Sequence, residues 1–141
     1  DALPISYSLK LALAMTANGA QGKTREELLE VLDISDLDNF NAEVQKTMKR
    51  YNISEPADTD YVPFIFNIAN SIWLNTDPKY NPSGMVFSPE FKEKVGEYYL
   101  AEADTVTSGD ALEKINGWCS KKTNGKIPTI LDEPNFLSCS I

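Results

Sequence analysis

Histidine is absent from the 141 residues. That removes the Ser-His-Asp and Cys-His arrangements, the commonest general base and the commonest metal ligand. Cysteine is nearly absent: Cys119 and Cys139 are too few for a disulfide framework. Whether they pair is open from sequence; a buried free thiol at Cys119 is the simpler expectation. No run approaches the roughly 18 apolar residues that a membrane-spanning helix needs. Basic residues are in deficit, 13 against 21 acidic, for a net charge of −8. A nucleic-acid or anionic-membrane binder needs the opposite balance, so neither partner is expected. Lys46, Lys49 and Arg50, and then Lys121, Lys122 and Lys126, read as solvated helix surface. Gly19 to Lys23 lacks the spacing of a phosphate-binding loop. No carboxylate pair stands out from surface charge, so an enzyme is not expected, nor a metal or other cofactor.

What is present suits a folded chain, at 42% hydrophobic and 24% charged. Residues 6–18 predict a helix apolar almost all round, through Leu9, Leu11, Ala12, Leu13, Ala14 and Met15, and therefore buried on most sides. A second helix is expected from Thr24, with Thr24 and Glu27 as a capping box and Leu28, Leu29, Val31 and Leu32 as its stripe. A third covers 39–51, with Phe40, Val44, Met48 and Tyr51 three or four apart. Residues 52–62 read as a loop.

Pro63 to Leu74 is the strongest strand. Its two faces are both apolar, which predicts an interior strand. Asn70 stands on the greasier face, where it needs hydrogen-bond partners. Ser88-Pro89 opens the next helix, with Phe91, Val95, Tyr98 and Tyr99 inward. Leu100 to Val106, carrying Glu102 and Asp104, reads as an edge strand. The last helix covers about 109–123, with Leu112, Ile115, Trp118 and Cys119 inward, and Asn124-Gly125 ends it. Residues 126–141 read as extended. Strand, helix, strand implies a parallel pair, and two strands make no stable sheet alone. A further partner for the 63–74 strand is therefore expected downstream or in another chain.

Three segments in order carry a family resemblance. Ser8-Leu9-Lys10-Leu11-Ala12-Leu13-Ala14-Met15, followed by Gly19-Ala20 and Gly22-Lys23-Thr24, resembles helix B of the serpins and its turn into helix C. Ile68-Ala69-Asn70-Ser71-Ile72-Trp73-Leu74-Asn75 resembles strand 2A. Ile115-Asn116-Gly117-Trp118, then Lys122-Thr123-Asn124-Gly125-Lys126-Ile127, resembles the end of helix F. Where the family usually has Ser-Pro at the start of helix B this chain has Ile5-Ser6, with the proline at Pro4. Asp1 stands where Asn is usual.

The resemblance implies an α+β fold: a mostly helical N-terminal part of a single serpin domain over residues 1–141, with two strands of sheet A. Helix A, strand 3A onward and the reactive-centre loop are expected to lie outside it. It implies a role in inhibiting a serine (or cysteine) protease by suicide-substrate loop insertion into sheet A. The partner would be a serine-type endopeptidase reached through that missing loop, and the protein would be secreted. The 141 residues alone would not inhibit, and would be open to self-association through the strand edge. Ser6, Ser8, Asn70, Asn116, Trp118, Thr123 and Gly125 are the shutter and structural positions the resemblance singles out. Two alternatives stand beside this reading: a non-inhibitory serpin acting as carrier or chaperone, and an unrelated strand-pairing interaction module.

Overall fold

The computed structural model describes residues 3–52 and 68–132, with side chains from Tyr7 onward. Expectations for 53–67, the predicted loop included, and for 133–141, Cys139 included, fall outside the described residues. The order is α1 (Leu3–Gly19), α2 (Gly22–Val31), α3 (Leu37–Tyr51), β1 (Asn70–Asn75), α4 (Pro89–Tyr99), β2 (Ala101–Val106) and α5 (Ala111–Lys122). β1 and β2 form a two-stranded parallel sheet, as a strand-helix-strand connection requires. The chain divides into two compact units, Asp1–Ser71 with Ser88–Glu102, and Ile72–Phe87 with Ala103–Ile141.

The first unit is helical. α1 packs on α2 and α4, and α3 packs on α4. Its core is Leu11, Ala14, Met15, Ala17, Leu32, Ile34, Leu37, Val44, Met48, Phe91, Val95 and Tyr99. α1 is less enclosed than its composition predicts: Leu9 is 59% exposed and Ala12 is exposed. One stripe of this helix is buried, and the opposite face is not covered by any described residue. Gly19 closes α1 against Phe91, and a Cβ there would stand 2.9 Å from the ring.

The predicted capping box at Thr24 is not formed. α2 begins two residues earlier, at Gly22, with Gln21 as N-cap and no side-chain cap bond. The cause is Gly22, whose φ of 54° turns the chain sooner than a side chain at Thr24 could. Glu27 lies instead 3.3 Å from Lys23. Val31, placed in the stripe by sequence, is 79% exposed, whereas Leu32 is buried. α3 starts at an Asp36 cap, whose Oδ1 accepts from Asn39 N at 3.0 Å. α4 opens as expected, with Ser88 Oγ accepting from Phe91 N at 3.1 Å and Pro89 in the first turn. Leu100 then takes φ 48° and ends it. Asn52 pairs its carboxamide with the main chain of Ile68, donating to the carbonyl at 3.2 Å and accepting from the N–H at 3.0 Å.

β1 opens at Asn70, with Ile68 and Ala69 outside it, and all six of its residues are half-buried rather than enclosed on both faces. Among the described residues its one strand neighbour is β2. β2 alternates as an edge strand should, with Glu102 and Asp104 exposed and Ala101 and Val106 buried.

The second unit has a small core of Val106, Ala111 and Ile115, with Trp73 and Leu131 packed against it. The loop after β1 is tied back to the chain after β2. Thr76 N donates to Val106 O at 2.8 Å, and Ser108 N donates to Asp77 Oδ2 at 2.8 Å. The Ser108 hydrogen bonds hold the Asp77 carboxyl below the ordinary carboxylate range.

Candidate functional site

The clearest constellation is built on α5. Ala111, Ile115 and Cys119 recur at intervals of four and face the core, which fixes the rotation of the helix. Cys119 is a buried free thiol, as expected. Ahead of the helix, Asp110 Oδ1 accepts from Thr107 N at 2.6 Å, and Oδ2 lies 2.8 Å from Lys114 Nζ. Lys114, with help from the Thr107 N–H, pulls the Asp110 carboxyl down to about 2; Asp110 in turn holds the Lys114 ammonium above its ordinary value. Lys114 also donates to Thr105 O at 3.2 Å.

Trp118 is half-buried and meets Trp73 edge to face, with ring centroids 6.5 Å apart and planes at 84°. Such aromatic pairs add about 0.5–1.5 kcal/mol beyond area burial. The Trp118 indole N–H is enclosed without a partner among the described residues.

At the far end, Thr123 is the C-cap. Its hydroxyl donates to Cys119 O at 2.9 Å and accepts from Ile127 N at 3.0 Å. Gly125, at φ 76°, donates from its N–H to Ser120 O at 2.7 Å and turns the chain back. The returning segment then meets Asn116. Asn116 Oδ1 accepts from Ile130 N at 2.9 Å and Leu131 N at 3.0 Å, and its Nδ2 donates to Leu131 O at 2.9 Å. One side chain thereby satisfies three main-chain groups of a segment that belongs to no helix or strand.

The structure therefore brings together four of the seven residues singled out from sequence: Asn116, Trp118, Thr123 and Gly125. The other three are not joined to one another among the described residues. Ser6 lies in α1 with its side chain outside the described set, and Ser8 is exposed on the same helix. Asn70 opens β1 half-buried, and its Nδ2 is enclosed without the partner that sequence reasoning required. Among the described residues no cluster of three or more acidic or cysteine side chains could hold a metal ion. The arrangement on α5 is a mechanical one: it fastens a helix and a return strap to a strand pair.

Sequence reasoning missed a second polar cluster, in the helical unit. Asn41 is fully buried. Its Oδ1 accepts from Tyr99 Oη at 2.5 Å and from Asn18 Nδ2 at 3.1 Å, and its Nδ2 donates to Asn18 Oδ1 at 2.8 Å. The network ties α1, α3 and α4 together, and burial pushes the Tyr99 phenol up to about 12. The available signal was position: Asn41 stands four after Leu37, three before Val44 and seven before Met48, in the middle of a buried stripe.

Comparison with known proteins agrees with this topology. The serpin (serine protease inhibitor) family model matches residues 5–138. An uncharacterised serpin-like protein of Thermococcus kodakarensis is 32% identical over 129 residues, which is 89% of this chain and 28% of that protein. The leukocyte elastase inhibitor of Xenopus tropicalis is 31% identical, over 91% of this chain and 31% of its own length. Among solved structures, the thermophilic serpin tengpin in its latent state matches with a TM-score of 0.63 at 30% identity, covering 86% of this chain and 30% of its own. Thyroxine-binding globulin in complex with thyroxine shares the fold, with a TM-score of 0.69 at 18% identity. The chain thus spans under a third of the length of these curated relatives. With a family model matched over almost its whole length and the β1–α4–β2–α5 order in place, this chain belongs to the serpin family.

Proposed function

We propose that this chain is the N-terminal part of a serpin-type inhibitor of a serine (or cysteine) protease, and that it supplies moving parts of the inhibitor rather than the protease-binding loop. The observation that carries the reading is the family match over residues 5–138 at under a third of its relatives' length. In the complete protein, cleavage of the reactive-centre loop would let that loop enter sheet A as a new strand. The driving force would be ladder hydrogen bonds and apolar burial gained on completing the sheet. β1 and β2 would form one side of that sheet.

On this reading α5 must yield as the sheet expands. The geometry suits that task. The helix is held by a small apolar core, one aromatic pair and the Asn116 staple rather than by a deep interface. Ser6, Ser8 and Asn70 would belong to the shutter beneath the opening strands. Secretion and a serine-type endopeptidase partner are part of the same proposal.

The test is incubation with trypsin-like and subtilisin-like proteases, followed by denaturing electrophoresis. A longer polypeptide carrying the downstream sequence should form a covalent, SDS-resistant complex with at least one protease. The 141-residue chain should form none and leave activity intact. A covalent complex with the 141-residue chain, or cleavage without complex by the longer one, overturns the reading. The second outcome favours a carrier or chaperone.

A further inference from the structure

Asparagine followed by glycine is chemically fragile, because glycine has no Cβ to shield its nitrogen from the preceding carboxamide. The chain has three such pairs: Asn18-Gly19, Asn116-Gly117 and Asn124-Gly125. The structure treats them very differently.

Asn18 sits in the last turn of α1. Its Nδ2 reaches Ala14 O at 2.9 Å, Asn41 Oδ1 at 3.1 Å and Tyr99 Oη at 3.3 Å, while its Oδ1 accepts from Asn41. Asn116 lies inside α5, and its carboxamide makes the three bonds to Ile130 and Leu131. Neither carboxamide can swing onto the following nitrogen without breaking several bonds at once. Asn124 differs on each count. It is exposed, it lies past the end of α5, and its carboxamide makes no hydrogen bond among the described residues. It also holds φ 52°, in the left-handed turn that follows the helix, outside the hydrogen-bonded body of α5. Only the bond from Gly125 N to Ser120 O, at 2.7 Å, restrains the attacking atom, and a single terminal turn opens readily.

We propose that Asn124 is a site of spontaneous deamidation, and that the fold spares Asn18 and Asn116. The Gly125 amide loses its proton to water or hydroxide, and its nitrogen attacks Asn124 Cγ. Nδ2 takes a proton from water, the Cγ–Nδ2 bond breaks and ammonia leaves, giving a cyclic succinimide. Water opens that ring at either carbonyl, yielding an aspartyl or an isoaspartyl residue; no oxidant or reductant is involved.

The position gives the change a consequence. A new carboxylate appears at the C-terminal end of α5, where the helix dipole disfavours negative charge. The isoaspartyl form also lengthens the main chain inside the turn that Gly125 closes on Ser120. Both loosen the strap of residues 126–131 that Asn116 and Thr123 hold.

Trypsin separates the three pairs into different peptides, bounded by Lys10 and Lys23, Lys114 and Lys121, and Lys122 and Lys126. The intact chain is aged at mildly alkaline pH, either folded or unfolded in urea, and mapped by mass spectrometry. In the folded protein, the 123–126 peptide should gain the deamidation mass as a mixture of aspartyl and isoaspartyl forms. Conversion at Asn18 and Asn116 should be slower by more than about tenfold, since several bonds must open together. In urea all three should convert at similar rates, and Asn124→Gln should leave the 123–126 peptide unchanged in either state. Equal rates in the folded protein, or conversion at Asn124 in urea but not in the fold, overturn the proposal. So does an absence of conversion in both states.

Discussion

The polar cluster of Asn18, Asn41 and Tyr99 decides more at the scale of single residues than any exposed charge. The ion pairs Lys23–Glu27, Lys46–Glu43, Lys94–Asp38 and Lys114–Asp110 all involve exposed side chains, and such pairs are worth about 0–1 kcal/mol each. Asn41, by contrast, is buried with its carboxamide engaged on both sides. Asn41→Leu removes the donor to Asn18 Oδ1 and the acceptor of the Tyr99 hydroxyl, and should destabilise the chain by about 1–3 kcal/mol in urea unfolding. Adding Tyr99→Phe should then cost less than it does alone, because one orphan is removed; strictly additive costs would show that the bonds are not coupled. Tyr99 also sets a pH dependence. Its pKa is raised from 10.0 to about 12, so the folded state prefers the neutral phenol. That stabilisation is complete below pH 10 and is lost as pH rises towards 12. The urea midpoint should fall across this window in the parent chain and stay flatter in Tyr99→Phe; parallel curves would remove Tyr99 as the cause. None of this network was legible from sequence. A polar residue inside an apolar stripe looks like an interruption until its partners, 23 and 58 positions away, are in view.

Legibility among the elements followed how local the cause was. The Ser88-Pro89 start of α4 and the Asn124-Gly125 end of α5 were readable because cap and turn chemistry act within a few residues. The start of α2 was not, because a left-handed Gly22 pre-empted the capping box that Thr24 and Glu27 spell out. The exposure of Leu9 and Val31 was not readable either, since periodicity shows which face is apolar and not what covers it. On α5 the motif predicted that Asn116 matters but not how. Its carboxamide is the staple for residues 130 and 131, so Asn116→Ala should act locally. Amide exchange at Ile130 and Leu131 should quicken by about tenfold or more, the loss expected for roughly 1–2 kcal/mol of hydrogen bonding. Amides of α3 and α4 should hold their rates. Uniform acceleration through both regions would make Asn116 a general stability residue rather than a strap holder.

Across the whole molecule two forces oppose each other in solution. The sheet has only two strands among the described residues, and isolated two-stranded ribbons are marginal. Strand edges of that kind, together with Leu9, Val31, Met85, Val86 and Ile130 at 51–79% exposure, favour association. A net charge of −8 on 141 residues opposes it by mutual repulsion. Repulsion is screened over about 10 Å at 0.1 M salt and about 3 Å at 1 M, whereas apolar burial and strand pairing are not weakened by salt. The chain should therefore be more associated at high ionic strength than at low, and more so at higher protein concentration. Sedimentation velocity at two salt and two protein concentrations reads this directly. Association that dissolves on adding salt would point to pairing of opposite charges, and a monomer at every condition would mean that the edges are already satisfied within this chain. If the proposed reading holds, a longer polypeptide carrying downstream sequence should lose the tendency, because strands of its own would occupy the edge at a far higher effective concentration than any second molecule can reach.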